Sequence, residues 1–169
     1  MQPTRNKPSG LVGQVLCVTA PTFRTANPRD FPRIRALLEA SQLPTADLAD
    51  SRPEFVLVED DSTLVGVAGL QCFGDLALLR SVAVAESRRG AGFGDELVRE
   101  RERFAIGRGV SELVLLTQTA EGFFARHGFQ KAERSRLRAE ILATAEFRSL
   151  CPDSAACMTK RLDSARQHP

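Results

Sequence analysis

Two aromatic residue types are missing from this 169-residue chain, which contains neither tyrosine nor tryptophan. No stretch approaches the roughly 20 consecutive apolar residues of a membrane-spanning helix, so we expect no membrane partner. The formal net charge is only +2, from 23 basic and 21 acidic residues, which predicts no strongly basic surface for nucleic acid. We therefore expect a globular protein of the cytoplasm, present as a monomer or a homodimer.

Cysteine is scarce and scattered. The chain has four cysteines, at positions 17, 72, 151 and 157, and no C-x-x-C pair, so a zinc site has little support. We expect reduced thiols that behave as small core residues, and no metal. An alternative is that Cys72, Cys151 and Cys157 converge to bind trivalent arsenic, which prefers thiolates; their sulfurs would then lie within about 4 Å of one another.

Strand and helix patterns alternate along the first two thirds of the chain. "FRTA" from Phe23 is a short strand candidate, and Asn27 is the predicted cap of a helix with apolar residues at helical spacing. "EFVLVED" and "TLVGVAGLQCF" predict a hairpin, and "LALLRSVAVA", apolar on both faces, predicts a central strand. A helix follows from Phe93 to Ile106, with Gly107 as its C-terminal cap.

The last third continues this alternation, with strands at "ELVLLTQT", "FQKAE" and "SAACMTKRL" and helices at "AEGFFARHG" and "LRAEILATAEF". We predict a mixed α/β fold with a central mixed sheet of six to seven strands and helices on both faces. Residues 21–162 form one predicted domain. Residues 1–20 are an N-terminal extension or flexible segment, and residues 163–169 are a C-terminal tail.

A glycine-rich turn joins the central strand to the following helix, in the run Arg89, Gly90, Ala91, Gly92, Phe93, Gly94. Backbone N–H groups at such a turn, together with the helix dipole, can bind a phosphate. A Rossmann pattern requires glycine where Asp95 stands, and a Walker loop requires Gly-Lys followed by Ser or Thr, so neither pattern fits. What remains is [Q/R]-x-x-G-x-[G/A].

This pattern resembles the acetyl-coenzyme A signature of the GNAT superfamily of acetyltransferases. About thirty residues on, "TQTAEGFFARHGF" is similar to the second GNAT segment, and the resemblance covers roughly residues 23–162. It implies the GNAT fold, with the fourth and fifth strands splayed, and acetyl-CoA as co-substrate. The residues it assigns to cofactor binding are Val82, Ala83, Val84, Arg89, Gly90, Ala91, Gly92, Phe93, Gly94, Thr117 and Phe124.

The C-terminal stretch "EFRSLCPDSAACMTK" is similar to N-acetyltransferases found with arsenic-resistance genes and to amino-acid N-acetyltransferases. The resemblance implies transfer of an acetyl group to the amine of a small amino-acid-like substrate, with an arsenic-containing amino acid as one candidate. Alternatives are an amino-acid acetyltransferase of the N-acetylglutamate synthase type, or a degenerate protein that binds coenzyme A or arsenic without catalysis.

The same resemblance implies roles in catalysis. The Val82 N–H would stabilise the oxyanion, and Phe124 stands where many relatives have a tyrosine that protonates departing coenzyme A. The coenzyme thiol should titrate near 8.5, as cysteine does, so it can leave without an acid. Glu59 is our candidate base; Asp75, Glu121 and His127 are others, although His127 at a helix end is more simply a cap, and water is a further alternative.

The acceptor is predicted to lie near Arg80 and Ser81, directly before the acetyl-binding stretch. Strand alternation predicts that at most one of these side chains faces the cleft. Arg80 is a candidate clamp for a substrate carboxylate, with an ion pair to a helix as the alternative. Arg148 and Ser149, before the last strand, are further candidates because that region often lines the acceptor pocket in this superfamily.

Overall fold

The structure is a computed structural model and describes residues 20–163. Residues 1–19, with Cys17, and residues 164–169 lie outside the described part. Of the predicted N-terminal extension and C-terminal tail, only residues 20 and 163 are therefore described. No helix within residues 20–163 combines the length and the apolar character needed to cross a bilayer.

The elements follow the predicted alternation closely. The strands are β1 (Thr22–Thr25), β2 (Glu54–Asp60), β3 (Thr63–Phe73), β4 (Leu76–Val84), β5 (Glu112–Thr117), β6 (Gln130–Lys131) and β7 (Ala156–Arg161). The α-helices are α1 (Phe31–Ala40), α2 (Leu48–Ser51), α3 (Phe93–Gly107), α4 (Glu121–Arg126) and α5 (Ala139–Leu142). Short 3-10 turns at Pro28–Asp30, Glu86–Arg88 and Arg134–Arg136 and a π-helical segment at Glu146–Leu150 complete the list.

The strands form one sheet in the order β1-β2-β3-β4-β5-β7-β6, in which β4 and β5 are parallel and the other pairs antiparallel. Alternation along β2 directs Phe55 and Leu57 against α1 and α2, and Val56 and Val58 towards Leu97 of α3. Helices therefore cover both faces, which confirms the predicted mixed α/β fold.

The parallel pair separates soon after it forms. Strands β4 and β5 pair only from Leu76 opposite Glu112 to Leu78 opposite Val114, although β4 continues to Val84. This confirms the predicted splaying of the fourth and fifth strands. Beyond Leu78, the backbone groups of β4 that face β5 have no partner in that strand. The separation therefore opens a cleft between the C-terminal ends of β4 and β5.

A β-bulge lies in β4 where the cleft opens. Val67 of β3 is opposite Ala83 and Gly69 is opposite Arg80, so three steps along β4 match two along β3. Ser81 absorbs the extra residue with a φ of 54°, in the left-handed region that non-glycine residues seldom occupy.

The predicted ends of two helices are refined by the structure. The Asn27 cap is confirmed, since its side chain accepts from the Arg29 N–H at 2.9 Å, but it begins the 3-10 turn that precedes α1. The prediction that Gly107 caps α3 was wrong, because Gly107 is the last helical residue. Gly109, with a φ of 78°, takes the left-handed position beyond the helix end.

Acid should weaken this fold through Asp30. Its buried carboxylate accepts two hydrogen bonds from the Arg24 guanidinium, each of 2.7 Å, and these lower its pKa from 3.8 to about 2. Because folding lowers this pKa, the stabilisation is fully present above about pH 4 and is lost as the pH falls towards 2. We expect Asp30→Asn to lower the free energy of unfolding by about 1 kcal/mol at pH 7, after allowance for solvent screening, and by almost nothing at pH 2.

Urea denaturation at pH 7, 4 and 2 measures this effect. Asp153→Asn is the control, because its fully exposed carboxylate lies 3.5 Å from Arg134 and should contribute little at any pH. A loss of stability in Asp30→Asn that stays the same at every pH would contradict the prediction.

Candidate active site

A cleft of about 710 Å³ lies where β4 and β5 separate. Its walls come from the end of β4, the turn into α3, the end of β5, the start of α4 and the loop after α1. The lining residues include Ser41–Pro44, Leu79–Val84, Arg88–Gly90, Gly92–Asp95, Leu115–Ala120, Phe123, Phe124, Arg126, Cys151 and Ala155.

The glycine turn leaves one wall of this cleft open to a ligand. Gly90 and Gly92 have φ angles of 83° and 85°, and nothing lies within 4 Å of the position that a Cβ would take at either residue. The first hydrogen bond within α3 runs from the Glu96 N–H to the Gly92 carbonyl at 3.1 Å, so the amides of residues 93–95 have no acceptor inside the helix. These amides and the helix dipole form a binding site for an anion.

Arginines flank the glycine turn. Arg89 and Arg126 line the cleft and are exposed; the Arg89 Nε donates to the Val84 carbonyl at 3.3 Å, and the Arg126 guanidinium lies over the Phe123 ring. Arg88 also lines the cleft, but it is held by Asp60 at 2.8 Å. Arg89 and Arg126 are therefore positioned to meet negative charge on a ligand at the turn.

The backbone of β4 offers a donor to the gap between the strands. The Ala85 N–H donates to the Val65 carbonyl of β3 at 2.8 Å. Because successive N–H groups of a regular strand point to opposite sides, that of Val84 is directed towards β5. Since β5 no longer pairs with β4 at this level, this donor faces the cleft, which Val82 also lines.

Phe124 forms an apolar part of the wall. It is 7% exposed and makes edge-to-face contacts with Phe123 and Phe129, with ring centroids 5.0 and 5.7 Å apart. Thr117, at the end of β5, accepts from the Ala120 N–H at 3.0 Å and so fixes the entry into α4. Phe124 lines the cleft as predicted, without a group that could donate a proton.

The structure corrects the interpretation of Glu59 as a base. Glu59 does not line the cleft; Arg24 and Arg33 hold its carboxylate at 2.9 and 2.8 Å. The hydrogen bond from Arg24 lowers the pKa of Glu59, which makes it a weaker base. Glu59 lies near the end of β2, and its partners come from β1 and α1, which are distant from it in the sequence.

The other candidate bases also lie outside the cleft lining. Asp75, in the turn between β3 and β4, pairs with Arg138, and Glu121 pairs with Lys131 at 2.8 Å. His127 follows the last residue of α4, as a helix cap does, and its Nε2 lies 2.9 Å from the Asp95 carboxylate. Asp95 itself lines the cleft, although the sequence pattern singled it out only as the residue that excludes a Rossmann turn.

Arg80 is committed to carboxylates of the protein itself. Its fully buried guanidinium donates to both oxygens of Asp47 at 2.5 and 2.7 Å, and its Nε lies 3.0 Å from Glu146. Burial raises the pKa of Glu146; burial also acts to raise that of Asp47, but hydrogen bonds from Arg80 bring it below its usual value. The proposed carboxylate clamp is therefore wrong for Arg80, and the alternative of an ion pair to helical segments is correct.

Arg80 and Ser81 are both among the residues that line the cleft, but the fully buried Arg80 side chain is directed to Asp47 and Glu146. That at most one of the two side chains faces the cleft therefore stays a prediction. The Arg80 Nε lies 3.5 Å from the Ser81 Oγ, where the bulge interrupts the simple alternation of the strand. A bulge depends on pairing with β3 and has no clear signature in the sequence of β4 alone.

Arg148 and Ser149 lie in the π-helical segment, where both are exposed, and they do not line the cleft. Ser149 donates to the Ala145 carbonyl at 3.4 Å. Their neighbours were not predicted as site residues: Glu146 reaches Arg80, and Cys151 lines the cleft. The assignment of Arg148 and Ser149 to the acceptor pocket is thus not supported by the cleft.

The described cysteines do not form an arsenic site. Among residues 20–163 no group of three histidine, cysteine, aspartate or glutamate side chains could hold a metal ion. Cys157 packs with Leu78 and Ile141, whereas Cys72 packs against a different apolar cluster. Burial raises the pKa of each thiol, that of Cys151 to about 11. The three-thiolate hypothesis for Cys72, Cys151 and Cys157 is therefore wrong.

The fold and the cleft together define a class of protein. The family model described as acetyltransferase (GNAT) domain matches residues 51–131, which include the hairpin, β4, the glycine turn and α4. Over these residues the chain matches a GNAT acetyltransferase domain, and this family consists of acyltransferase enzymes.

Individual proteins and solved structures are also similar to this chain. The chain is 26% identical over 121 residues to an amino-acid acetyltransferase of Pasteurella multocida, covering 66% of this chain and 28% of that protein. Among solved structures it is similar to N-acetylglutamate synthase from Neisseria gonorrhoeae complexed with coenzyme A and N-acetyl-glutamate, with a TM-score of 0.74, 26% identity and coverage of 86% and 36% of the two chains. A Mycobacterium tuberculosis protein in complex with CoA matches with a TM-score of 0.71, 26% identity and coverage of 84% and 99%. The chain thus spans about a third of the length of the first two relatives.

Proposed function

We propose that this protein is an N-acetyltransferase that moves an acetyl group from acetyl-CoA to the amine of a small amino-acid-like acceptor. The observation that carries this proposal is the cleft between the separated β4 and β5, which ends at a glycine turn with free helix-terminal amides. That combination suits a ligand with a diphosphate at one end and an extended chain that runs between two strands.

The residues present fit acetyl-CoA. The amides around Gly90 to Gly94 would hold the diphosphate, because the open space at Gly90 and Gly92 lets it approach the backbone. Arg89 and Arg126 would balance its charge. The pantetheine arm would run between Val82–Val84 and Thr117, where the two strands have separated.

Acetyl-CoA supplies the thioester that the acceptor amine attacks. In the proposed mechanism the Val82 N–H donates to the thioester carbonyl oxygen and stabilises the negative charge that develops there, an effect worth about 3 to 4 kcal/mol for one donor. The cleft also holds amine and thioester together, which can supply roughly 7 to 11 kcal/mol. Attack would form the C–N bond and break the C–S bond, and the amine would pass its proton to water. Because Phe124 offers no proton, the thiolate would leave unprotonated.

We propose two candidate acceptors, both of which carry an amine. An amino-acid-like amine agrees with the names of the Pasteurella and Neisseria relatives. An arsenic-containing amino acid is the finer candidate, supported by the similarity of "EFRSLCPDSAACMTK" to the arsenic-associated group. An ordinary amino acid of the kind used by N-acetylglutamate synthase is the second candidate, favoured by the structural similarity to that enzyme.

Two measurements test the cofactor and the acceptor in turn. Calorimetry with acetyl-CoA should show binding. A coupled assay of coenzyme A release should then be run with amino acids, their amides and amino-acid arsenicals. We expect release with at least one amino acid or analogue. Binding without release for every acceptor would favour the degenerate cofactor-binding alternative, and no binding would overturn the proposed function.

Phe124→Tyr tests whether the missing acid matters. If thiolate departure needs no proton, the substitution should change kcat by at most about tenfold, or 1.4 kcal/mol, and should introduce no group that titrates near 10 in the rate profile. Steady-state kinetics with the best acceptor measure this. Phe129→Tyr is the control for burying a hydroxyl, since Phe129 lies in the same aromatic cluster outside the cleft lining. A gain of several hundredfold in Phe124→Tyr alone would mean that the native protein is catalytically impaired.

A further inference from the structure

One guanidinium joins the segments that surround the end of the cleft away from the glycine turn. We call this part, lined by Ser41–Pro44, Arg80, Ser81, Cys151 and Ala155, the acceptor end. Arg80 belongs to β4, Asp47 directly precedes α2, and Glu146 begins the π-helical segment that leads to Cys151. All three side chains are buried, and they are held together by the contacts described above.

Each member of this triad anchors a lining segment. Asp47 follows the Ser41–Pro44 loop by three residues, and its helix is tied again by Ser51, whose Oγ lies 3.2 Å from the Arg80 Nη1. The Glu146 carbonyl accepts from the Cys151 N–H at 3.1 Å, so its position sets where Cys151 enters the wall. Arg80 itself directly precedes the strained bulge residue Ser81.

We propose that Arg80, Asp47 and Glu146 act as one positioning unit that sets the shape of the acceptor end and hence the affinity for the acceptor. This inference rests on the proposed N-acetyltransferase function. Arg80 does not meet the substrate in this scheme, because its nitrogen atoms already face Asp47, Ser51 and Glu146. A buried ion triad is a poor source of stability compared with apolar residues of the same size, since its desolvation is costly. Its value here is geometric, because the planar guanidinium fork fixes the directions of both carboxylates.

The test compares acceptor and cofactor binding in variants of the unit. Arg80→Met leaves two buried carboxylates unpaired and is expected to be unstable, so the triple variant Arg80→Met/Asp47→Asn/Glu146→Gln removes every charge at once. In any variant that folds, we expect the KM for the acceptor to rise at least tenfold, while the Kd of acetyl-CoA from calorimetry changes less than about twofold. Asp47→Asn and Glu146→Gln should each raise the KM in the same direction, and a double-mutant cycle should show that their effects are not additive.

The chain contains a matched control for the loss of a charge network. Arg24 is likewise held by an aspartate and a glutamate, with contacts to Asp30 at 2.7 Å and Glu59 at 2.9 Å, outside the cleft lining. Arg24→Met should therefore lower stability but leave the acceptor KM unchanged. An equal rise in KM for Arg24→Met would show that the effect is general destabilisation and would overturn the proposal.

The KM values for an amino acid and for its amide show whether Arg80 only positions the acceptor end or contacts the substrate carboxylate directly. A positioning unit should raise the KM for both by the same factor. A larger rise for the free amino acid would show that Arg80 grips the substrate carboxylate, and so would overturn this inference.

Chemical labelling of Cys151 tests the positioning unit without any measurement of enzyme activity. The rate of iodoacetamide labelling of Cys151, mapped by mass spectrometry against Cys72, should rise severalfold in the triple variant because the wall that half-buries Cys151 loosens. If the native protein acetylates nothing, the proposed function fails, yet this labelling still tests the positioning unit. A folded triple variant with the native labelling rate or the native acceptor KM would refute it.

Discussion

Gly92→Val should raise the Kd of acetyl-CoA at least a hundredfold, or about 3 kcal/mol. Gly92 has a φ of 85°, and nothing lies within 4 Å of the place where a Cβ would stand. A valine there would occupy the space in front of the helix-terminal amides and would strain a backbone conformation that β-branched residues avoid. The side chain acts against the bound state, because the diphosphate needs close approach to the turn, whereas the strain lowers the stability of the folded protein with or without ligand. Calorimetric titration with acetyl-CoA measures the loss.

Gly74→Val is the control for backbone strain. Gly74 has a φ of 65° and equally open surroundings, but it lies in the turn between β3 and β4 and does not line the cleft. We expect a comparable loss of thermal stability in both variants and a weakened Kd only in Gly92→Val. Native affinity in a folded Gly92→Val protein would exclude the glycine turn as the diphosphate site and with it the proposed cofactor orientation.

Ser81→Val should lower kcat by about 100- to 1000-fold, the effect expected when one oxyanion donor is lost. Valine is strongly disfavoured at the φ of 54° that Ser81 adopts, so we expect β4 to straighten at the bulge. Straightening would rotate the following N–H groups and so displace the Val82 donor of the proposed mechanism. The Kd of acetyl-CoA should change little, because the glycine turn and the start of α3 are untouched. Steady-state kinetics and calorimetry on the same preparation measure the two quantities.

Two companion variants make this test specific. Ser62→Val introduces the same residue at a φ of 62° in the β2–β3 turn, which does not line the cleft, and should leave kcat unchanged. Ser81→Gly tolerates the left-handed conformation and should keep most of the activity. If Ser81→Gly loses as much activity as Ser81→Val, the hydroxyl and not the bulge is the important feature, and the proposed role of the Val82 N–H loses its support.

The amino-acid pattern was sufficient to predict the structural features that depend only on residues close together in the chain. Hairpin, central strand and glycine turn were predicted close to their observed positions because alternation, turn residues and glycine spacing act over a few residues. The two GNAT-like segments likewise identified the walls that carry Gly92 and Phe124, since each wall is a continuous stretch of sequence.

The assignments that failed depend on residues far apart in the chain. Arg80 was a candidate clamp for a substrate carboxylate and Glu59 a candidate base, but their partners lie 33 and 35 positions away in Asp47 and Arg24. The bulge at Ser81 arises from pairing between β3 and β4, so strand alternation in β4 alone could not reveal it. Charges and backbone donors acquire their roles only when folding brings distant segments together, because an electrostatic contact is set by distance in space. The sequence therefore predicted the glycine-turn end of this cleft, whereas the contacts of Arg80 with Asp47 and with Glu146 of the π-helical segment appear only in the folded protein.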